Sequence, residues 1–422
     1  MLNPNIYKSR ISLAVIWGVM FMAFPFSIFQ AFALPSKAII SLGSIILIFF
    51  IAVFIKQVNI NKNIVAIFFI QIIFAVVYIV IHKDLAYINL CFHLLIPLII
   101  YVYINSVIDY KQLQYSMLNI MVVIGGLAVV CFLLCLLINL PEYSTFENPD
   151  GRTGYNYIIS LTNTVFDLGF VKIIRPAGYF DEPGTLAFYL TVAILLNDLT
   201  VKKKWMRIVF ITCGVFTLSV AFYLLMALYS LLYLSRRILF RGGIILCFAL
   251  PLFLAVYSKL GIEQRDVIYS FTIGRLESLI SSEKETEGYF QADNRSDLID
   301  VSKDAIKDSP FIGQGLSYAS IPGGKYNGKF MGANLLGVFG IHGIFGGIVF
   351  SLHVLHYFII CFRRKKWLDV TQKSSLIYLV LILQRPDYVG GLLTYVSVIM
   401  LTLASLNYQS NESKDLDYNR SL

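Results

Sequence analysis

The sequence predicts an all-α polytopic membrane protein of about twelve transmembrane helices, with two long outer loops that contain short helices of their own. Three observations predict it. Of 422 residues, 58% are hydrophobic and 14% charged, against roughly 25% charged in soluble domains, and the mean hydropathy is +0.74. Apolar runs of about the 20 residues that cross hydrocarbon recur along the chain. Basic residues gather in short runs between them: Lys202, Lys203, Lys204 and Arg207; Arg236, Arg237 and Arg241; Arg363, Arg364, Lys365 and Lys366. Such runs mark cytoplasmic loops. The net charge of +9 therefore reports topology and argues against a nucleic-acid partner.

In chain order, Met1 to Arg10 is polar and slightly basic. The apolar run after it is too long for a signal-peptide core and lacks a small-residue cleavage site, so it reads as a retained span. Spans are predicted near 11–33, 38–55, 63–81, 86–104, 117–138, 184–200, 206–218, 220–235, 238–257, 331–361, 374–386 and 388–407. Arg207 to Leu234 is uninterrupted. As a single span it would put Arg236 and Arg237 opposite Lys202 to Lys204, whereas two short segments turning near Leu218 to Ala221 keep the basic clusters on one side. The segment 374–386, before Gln384-Arg385-Pro386-Asp387, is short enough to be a half-span.

With Lys8 and Arg10 inside, both termini are cytoplasmic, and residues 139–183 and 258–330 form the two outer loops of one integral-membrane domain, 1–422. The second loop has nine Lys/Arg and eleven Asp/Glu by count, so the excess positive charge is cytoplasmic. The cytoplasmic tail, 408–422, reads as a short disordered end. Tyr155 to Ile174 is apolar and aromatic, which suits a helix lying in the membrane interface. Asn294 to Asp308 reads as an amphipathic helix: Leu298, Val301, Ala305 and Ile306 share a face, Asn294 caps it and Ser309-Pro310 ends it. Outer loops this long are uncommon unless functional.

The six cysteines lie in or at the ends of apolar segments, which predicts neither a disulfide framework nor a thiolate metal site. His353 and His356 are three apart with no further ligand nearby. No metal or cofactor is expected, and without a phosphate-cradling Walker loop ATP-driven transport has no support.

The chemistry-bearing stretch is Arg175 to Leu190, which closes the first outer loop and runs straight into an apolar segment. It sets Arg175, Asp181 and Glu182 at the membrane boundary, where charge is costly without a partner. Pro176, Pro183, Gly178 and Gly184 limit the turn, because Pro fixes φ and Gly frees it. Two roles fit: an interfacial ion pair of Arg175 with Glu182, or an anion site. Arg175, Arg265, Arg275, Arg295 and Arg385 all fall on the outer face, and the guanidinium fork matches phosphate and pyrophosphate. Beside Asp266 and Asp387, Arg265 and Arg385 fit simple exposed pairs better. Glu182 and Asp181 are general-base candidates, since a carboxylate short of water is raised towards a working pKa. Orienting Arg175 is their other role. His342 lies in the glycine-rich run Gly332 to Gly347, whose small residues permit close helix packing.

In these motifs the chain resembles the O-antigen polymerases (Wzy type), within the wider superfamily that includes O-antigen ligases. Arg175-x-x-Gly178-x-Phe180-x-Glu182-Pro183 is similar to the family's Arg-x-x-Gly/Ser-x-Phe-x-Glu-Pro at the start of a span. The helix with Arg295, followed by Ser-Pro-Phe-Ile-Gly-Gln-Gly315, resembles an arginine-led helix before Pro-x-x-Gly-x-Gly. Asn334-x-Leu-x-x-Phe-Gly and the following glycine pair are similar to the family's Asn-x-x-Leu and glycines. Two departures stand out: ligases have a His before this Asn where the chain has Ala333, and the family's Ser-Arg-Gly between short spans is Leu218-Ser-Val-Ala.

The resemblance implies a glycosyltransferase of the bacterial inner membrane that moves a growing glycan from undecaprenyl pyrophosphate to the end of a new lipid-linked repeat unit on the outer face. It implies that Arg175, Arg275 and Arg295 neutralise pyrophosphate and that Glu182 acts as base or orienter. Tyr179, Asp181, Arg265, Gly315, Asn334 and Arg385 would contact substrate, with Tyr289, Tyr318 and Tyr326 further surfaces for stacking sugars. Its partners would be a chain-length regulator (Wzz type) and a flippase, with no metal or nucleotide. The alternatives are an O-antigen ligase, opposed by Ala333, and a lipid-linked oligosaccharide flippase, opposed by apolar spans and charge gathered in long outer loops.

Overall fold

The computed structural model describes residues 27–32, 62–106, 110–147, 153–167, 172–234, 295–329, 336–363, 368–384 and 392–421, with isolated positions at 258, 259, 261, 265, 269, 331 and 334. The predicted spans 38–55 and 238–257, most of 11–33, and Arg275 and Arg385 lie outside them. The described helices are α1 (Ile28–Ala31), α2 (Lys62–His82), α3 (Ala86–Ser106), α4 (Tyr110–Ile138), α5 (Pro183–Leu199), α6 (Lys204–Phe216), α7 (Val220–Tyr233), α8 (Arg295–Asp308), α9 (Gly337–Phe350), α10 (Leu352–Phe362), α11 (Val370–Gln384) and α12 (Leu392–Ser421). Lys62–His82, Lys111–Ile138 and Gly337–Phe362 are long and apolar enough to cross a membrane, and four shorter apolar helices accompany them. The described residues are mostly helical, and their long apolar helices are compatible with a helical membrane protein.

The bundle is organised around α5. Pro183 occupies its first turn, where the missing N–H costs nothing, and nearly every residue to Leu199 is buried against α4, α6, α7, α11 and α12. A helix apolar all round belongs in such a centre. By contrast α2 exposes Phe69, Ile73, Val76 and Val80, a stripe suited to lipid. Gly125 lets α4 approach α6 closely: a Cβ there would lie 3.0 Å from the Cys213 side chain.

Contacts at the helix ends define two faces. On one, Lys203 Nζ donates to the Tyr115 hydroxyl (2.7 Å), Lys202 lies over the Tyr408 ring and Lys373 over Tyr233. This is the basic face. The α2–α3 turn, the N-terminus of α5 and the loop after α8 lie at the opposite ends of their helices. The helices α6 and α7 are two short segments, turning at Thr217 to Ser219, as charge placement predicted. The turn is tight because Leu218 adopts φ +50, Thr217 Oγ1 donates to the Gly214 carbonyl (2.7 Å) and the Phe222 ring occupies the space a side chain at 214 would need.

At the basic end of α5, Asp198 accepts from Arg207 Nη2 (2.5 Å), Arg207 Nε (2.9 Å) and the Tyr229 hydroxyl (2.7 Å). One carboxylate thus ties α5 to both arms of the hairpin. Breaking a buried ion pair costs roughly 3–5 kcal/mol. Arg207 keeps 32% of its side-chain surface exposed, so Asp198→Ala is expected to cost less, about 2–3 kcal/mol, read as a lower Tm in detergent.

Four expectations are corrected. First, the first outer loop holds strands where short helices were expected: β1 (Ser144–Glu147), β2 (Thr153–Asn156) and β3 (Leu161–Thr162) form one antiparallel sheet, and β4 (Val165–Asp167) and β5 (Lys172–Ile174) another. Second, Tyr155 to Ile174 is therefore not an interfacial helix. Gly154 accepts the Phe146 ring of β1 within 2.4 Å of where a Cβ would stand, and Thr162 and Ser160 spend their hydroxyls on loop backbone, the habit that disfavours helix. Third, the span predicted at 331–361 holds as Gly337–Phe362, long and apolar enough to cross a membrane, but it is broken at Ser351 and kinked at Gly343, φ +66. Fourth, the tail is not a disordered end, since α12 continues to Ser421. Residues 408–421 contain neither Gly nor Pro, and Gln409 Nε2 donates to the Ile360 carbonyl (3.1 Å).

Candidate functional site

The small sheets hold the loop that carries Arg175. Leaving β5, Arg175 N–H donates to the Thr164 carbonyl (3.2 Å) and its carbonyl accepts from Thr162 Oγ1 (2.6 Å). Ala177 N–H then donates to the Leu161 carbonyl (2.8 Å), and Leu161 N–H to that of Gly178 (2.6 Å). The Gly178 N–H itself donates to Ser160 Oγ (3.1 Å). Its φ is +61, and an added Cβ would stand 2.6 Å from Ile124 of α4. Only glycine meets both conditions. The backbone here is thus determined by strand pairing below and a helix behind.

Arg175 is 7% exposed, although it stands at the mouth of the bundle. Its charge acts on the Tyr223 hydroxyl, which donates to the Val215 carbonyl (2.8 Å). Arg175 thus lies within electrostatic reach of the tip of the α6–α7 hairpin. Seven residues on, Glu182 is the N-cap position of α5 but does not cap it through its side chain. Instead its Oε1 lies over the first turn, 3.4 Å from where a Cβ on Gly184 would be. Asp181 accepts from Thr185 Oγ1 (2.5 Å), which commits it to the helix start. Phe180 is buried in a stack on Tyr189 (4.8 Å), while Tyr179 is half-buried and burial pushes its hydroxyl upward. Ser27 N–H donates to the Tyr179 carbonyl (2.8 Å) and Gln30 Nε2 to the Glu147 carbonyl. The end of the first predicted span is thus a clamp across this loop.

A second structure forms on the same face, where the loop after α8 crosses the break in α9. Gln314 N–H donates to the Gly340 carbonyl (3.0 Å) and Gly315 N–H to Ile341 (2.9 Å), while Ile344 and Phe345 N–H groups donate to Pro310 (2.8 Å) and Phe311 (3.3 Å). The Tyr78 hydroxyl donates to the His342 carbonyl (2.7 Å). Irregular backbone inside an apolar segment is tolerated when its polar groups are satisfied in this way. Glycine is required at the crossing: a Cβ on Gly313 would be 2.3 Å from the Ile341 oxygen, and one on Gly343 2.3 Å from the Phe311 carbonyl carbon.

The α2–α3 turn latches this loop. His82 Nε2 lies 3.0 Å from the Ile312 carbonyl oxygen, and Asp84 accepts from Ser317 N–H (2.7 Å) and Ser317 Oγ (2.6 Å) as well as Ala86 N–H (2.9 Å). Burial pushes the Asp84 carboxyl up, but the Ser317 hydroxyl and the two N–H groups together hold it below its ordinary value. A carboxyl lowered in the folded state stabilises above its ordinary pKa of about 3.9 and loses that contribution as pH falls through the lower folded value. Cleavage by an acid-tolerant protease within 309–329 is therefore expected to rise below about pH 4. Asp84→Asn should raise it already at neutral pH, by about 1–3 kcal/mol of local opening.

The predicted site residues divide clearly. Arg175, Tyr179, Asp181 and Glu182 lie together on one loop and helix start. Arg295 begins α8, and Arg265 is an isolated, half-buried helical position. Gly315, φ +85, packs against His82. Asn334 works as a staple: Nδ2 donates to Ser302 Oγ (2.9 Å) and to the Met331 carbonyl, and Oδ1 accepts from Leu336 N–H (2.8 Å). Tyr318 and Tyr326 are buried with Ala305 and Met331, so they offer no free ring to a sugar. Sequence reasoning missed Ser27, Asp84 and Tyr223. A polar His-Lys-Asp between two apolar runs was the one signal that pointed to Asp84. Compared with known proteins, the chain matches no family model and no curated sequence.

Proposed function

We propose that this chain is a polysaccharide polymerase that transfers a growing glycan from undecaprenyl pyrophosphate to a lipid-linked repeat unit. In this reading the sheet-held face is extracytoplasmic, and the basic face and both termini are cytoplasmic. The observation that carries the proposal is the buried Arg175 on a doubly anchored loop, seven residues before a carboxylate at the N-terminus of the central helix. A guanidinium withdrawn from water binds a pyrophosphate oxygen strongly and stabilises the charge that grows as the lipid pyrophosphate leaves. In this reading Glu182, at the N-cap position of α5, takes the proton of the attacking sugar hydroxyl or orients Arg175. Asp181, held by Thr185, shapes the helix start.

The test is reconstitution of the purified protein with undecaprenyl-pyrophosphate-linked repeat units alone, with the lipid-linked glycans resolved on a gel. A ladder of longer glycans is expected. Unchanged glycan length, with the substrate instead becoming accessible across the bilayer, would replace the enzyme by a flippase.

A further inference from the structure

The turn between α5 and α6, at the opposite end of the central helix from Arg175, is built more rigidly than a connection needs to be. Asn197 is fully buried. Its Nδ2 donates to the Lys203 carbonyl (3.1 Å), its Oδ1 accepts from Lys203 N–H (3.1 Å), and its own carbonyl accepts from Lys202 N–H (2.6 Å). This arrangement forces Lys202 to φ +56, a left-handed conformation that glycine would adopt without strain. Strain kept at a non-glycine residue points to a use for its side chain.

The two lysines are splayed onto different helices. Lys202 Nζ stands 4.7 Å from the Tyr408 ring centre on α12. Lys203 Nζ stands 4.7 Å from the Tyr115 ring centre on α4 and donates to its hydroxyl (2.7 Å), leaving the phenolic proton available to an acceptor. These two helices meet beside the lysines, where Gln114 Nε2 donates to the Met400 carbonyl (3.1 Å). Among the residues whose side chains are described no carboxylate forms a salt bridge with either ammonium, and Asp198 acts on Lys202 only through its charge at longer range. The nearby Asp198 is taken by Arg207 and Tyr229. Trp205, 49% exposed, adds an aromatic anchor of the kind that sits at headgroup depth.

We propose that Lys202 and Lys203, with the Tyr115 hydroxyl, form a binding site for the phosphate of an anionic phospholipid at the α4–α12 seam. Two ammonium groups held on aromatic faces, without an ion pair to any carboxylate whose side chain is described, at the depth where an apolar helix ends, match a phosphodiester headgroup whose acyl chains run along the bundle. The site does not depend on what is catalysed on the other face.

The test is native mass spectrometry of the full-length protein released from phosphatidylcholine nanodiscs doped with phosphatidylglycerol. Wild type is expected to retain phosphatidylglycerol in preference to phosphatidylcholine. Lys202→Gln and Lys203→Gln should each weaken retention about fivefold, and the double variant about 25-fold. Removing the same charge on the other face, at Lys303 and Lys307, should change nothing. Lys202→Gly separates folding from binding, since relief of strain should maintain or raise Tm while retention falls. Equal retention of the two lipids, or a double variant that retains phosphatidylglycerol as wild type does, would overturn the site. Binding of inorganic phosphate with no preference for phosphatidylglycerol would overturn the lipid assignment.

Discussion

Arg175→Ala is expected to abolish glycan lengthening on lipid-linked repeats, by about 10²–10³-fold in rate, the loss typical when one group that stabilises developing negative charge is removed. The backbone of this loop is held by bonds to the Thr164 carbonyl and from the Thr162 hydroxyl, so the variant should still purify as a folded protein. Arg175→Lys is the sharper probe. It keeps the charge but replaces a planar fork by a point charge, so it should recover only part of the rate. Full recovery with lysine would mean that the position supplies electrostatic attraction without geometry. Glu182→Gln completes the set. If Glu182 is the base, the variant loses rate at every pH. If it orients Arg175, the loss is smaller and the amide recovers part of it through hydrogen bonding.

The second large effect concerns folding. Gly343→Ala and Gly313→Ala are each expected to destabilise by about 3 kcal/mol or more, combining a left-handed conformation forced on a side chain, roughly 1–2 kcal/mol, with overpacking, roughly 1–3 kcal/mol. The neighbours are backbone atoms of the partner segment and cannot rotate away, so the hydrogen bonds at the crossing must lengthen. Thermal unfolding in detergent measures this. Gly126→Ala is the matched control: a Cβ there meets nothing within 4 Å, and in a helix interior alanine should raise stability by roughly 0.5–1 kcal/mol. A Gly343→Ala protein as stable as wild type would show that the break in α9 is not the required conformation.

The sequence by itself determined the helical class, the positions of the three helices long and apolar enough to cross a membrane and the amphipathic α8, because each depends on local quantities: apolar run length and a 3.6-residue period. It even separated α6 from α7, since charge sidedness is a property of the chain order. It also brought out Arg175, Asp181 and Glu182, because charge beside an apolar run is visible without a fold. Only the tertiary structure decided how those residues are held. The stretch 153–167 holds strands rather than a helix because Phe146 covers Gly154 and because Thr162 and Ser160 bond to a segment 13 to 18 residues away. The apolar run 331–361 breaks because Tyr78 and the loop 310–315 satisfy the groups that the break releases. Asn334 and Tyr318 carry the same side chains as substrate ligands do, yet both are spent on the protein's own backbone. Composition cannot distinguish these roles, because a hydrogen-bond donor's partner is chosen by distance in space, and that distance is set by packing between segments far apart in the chain.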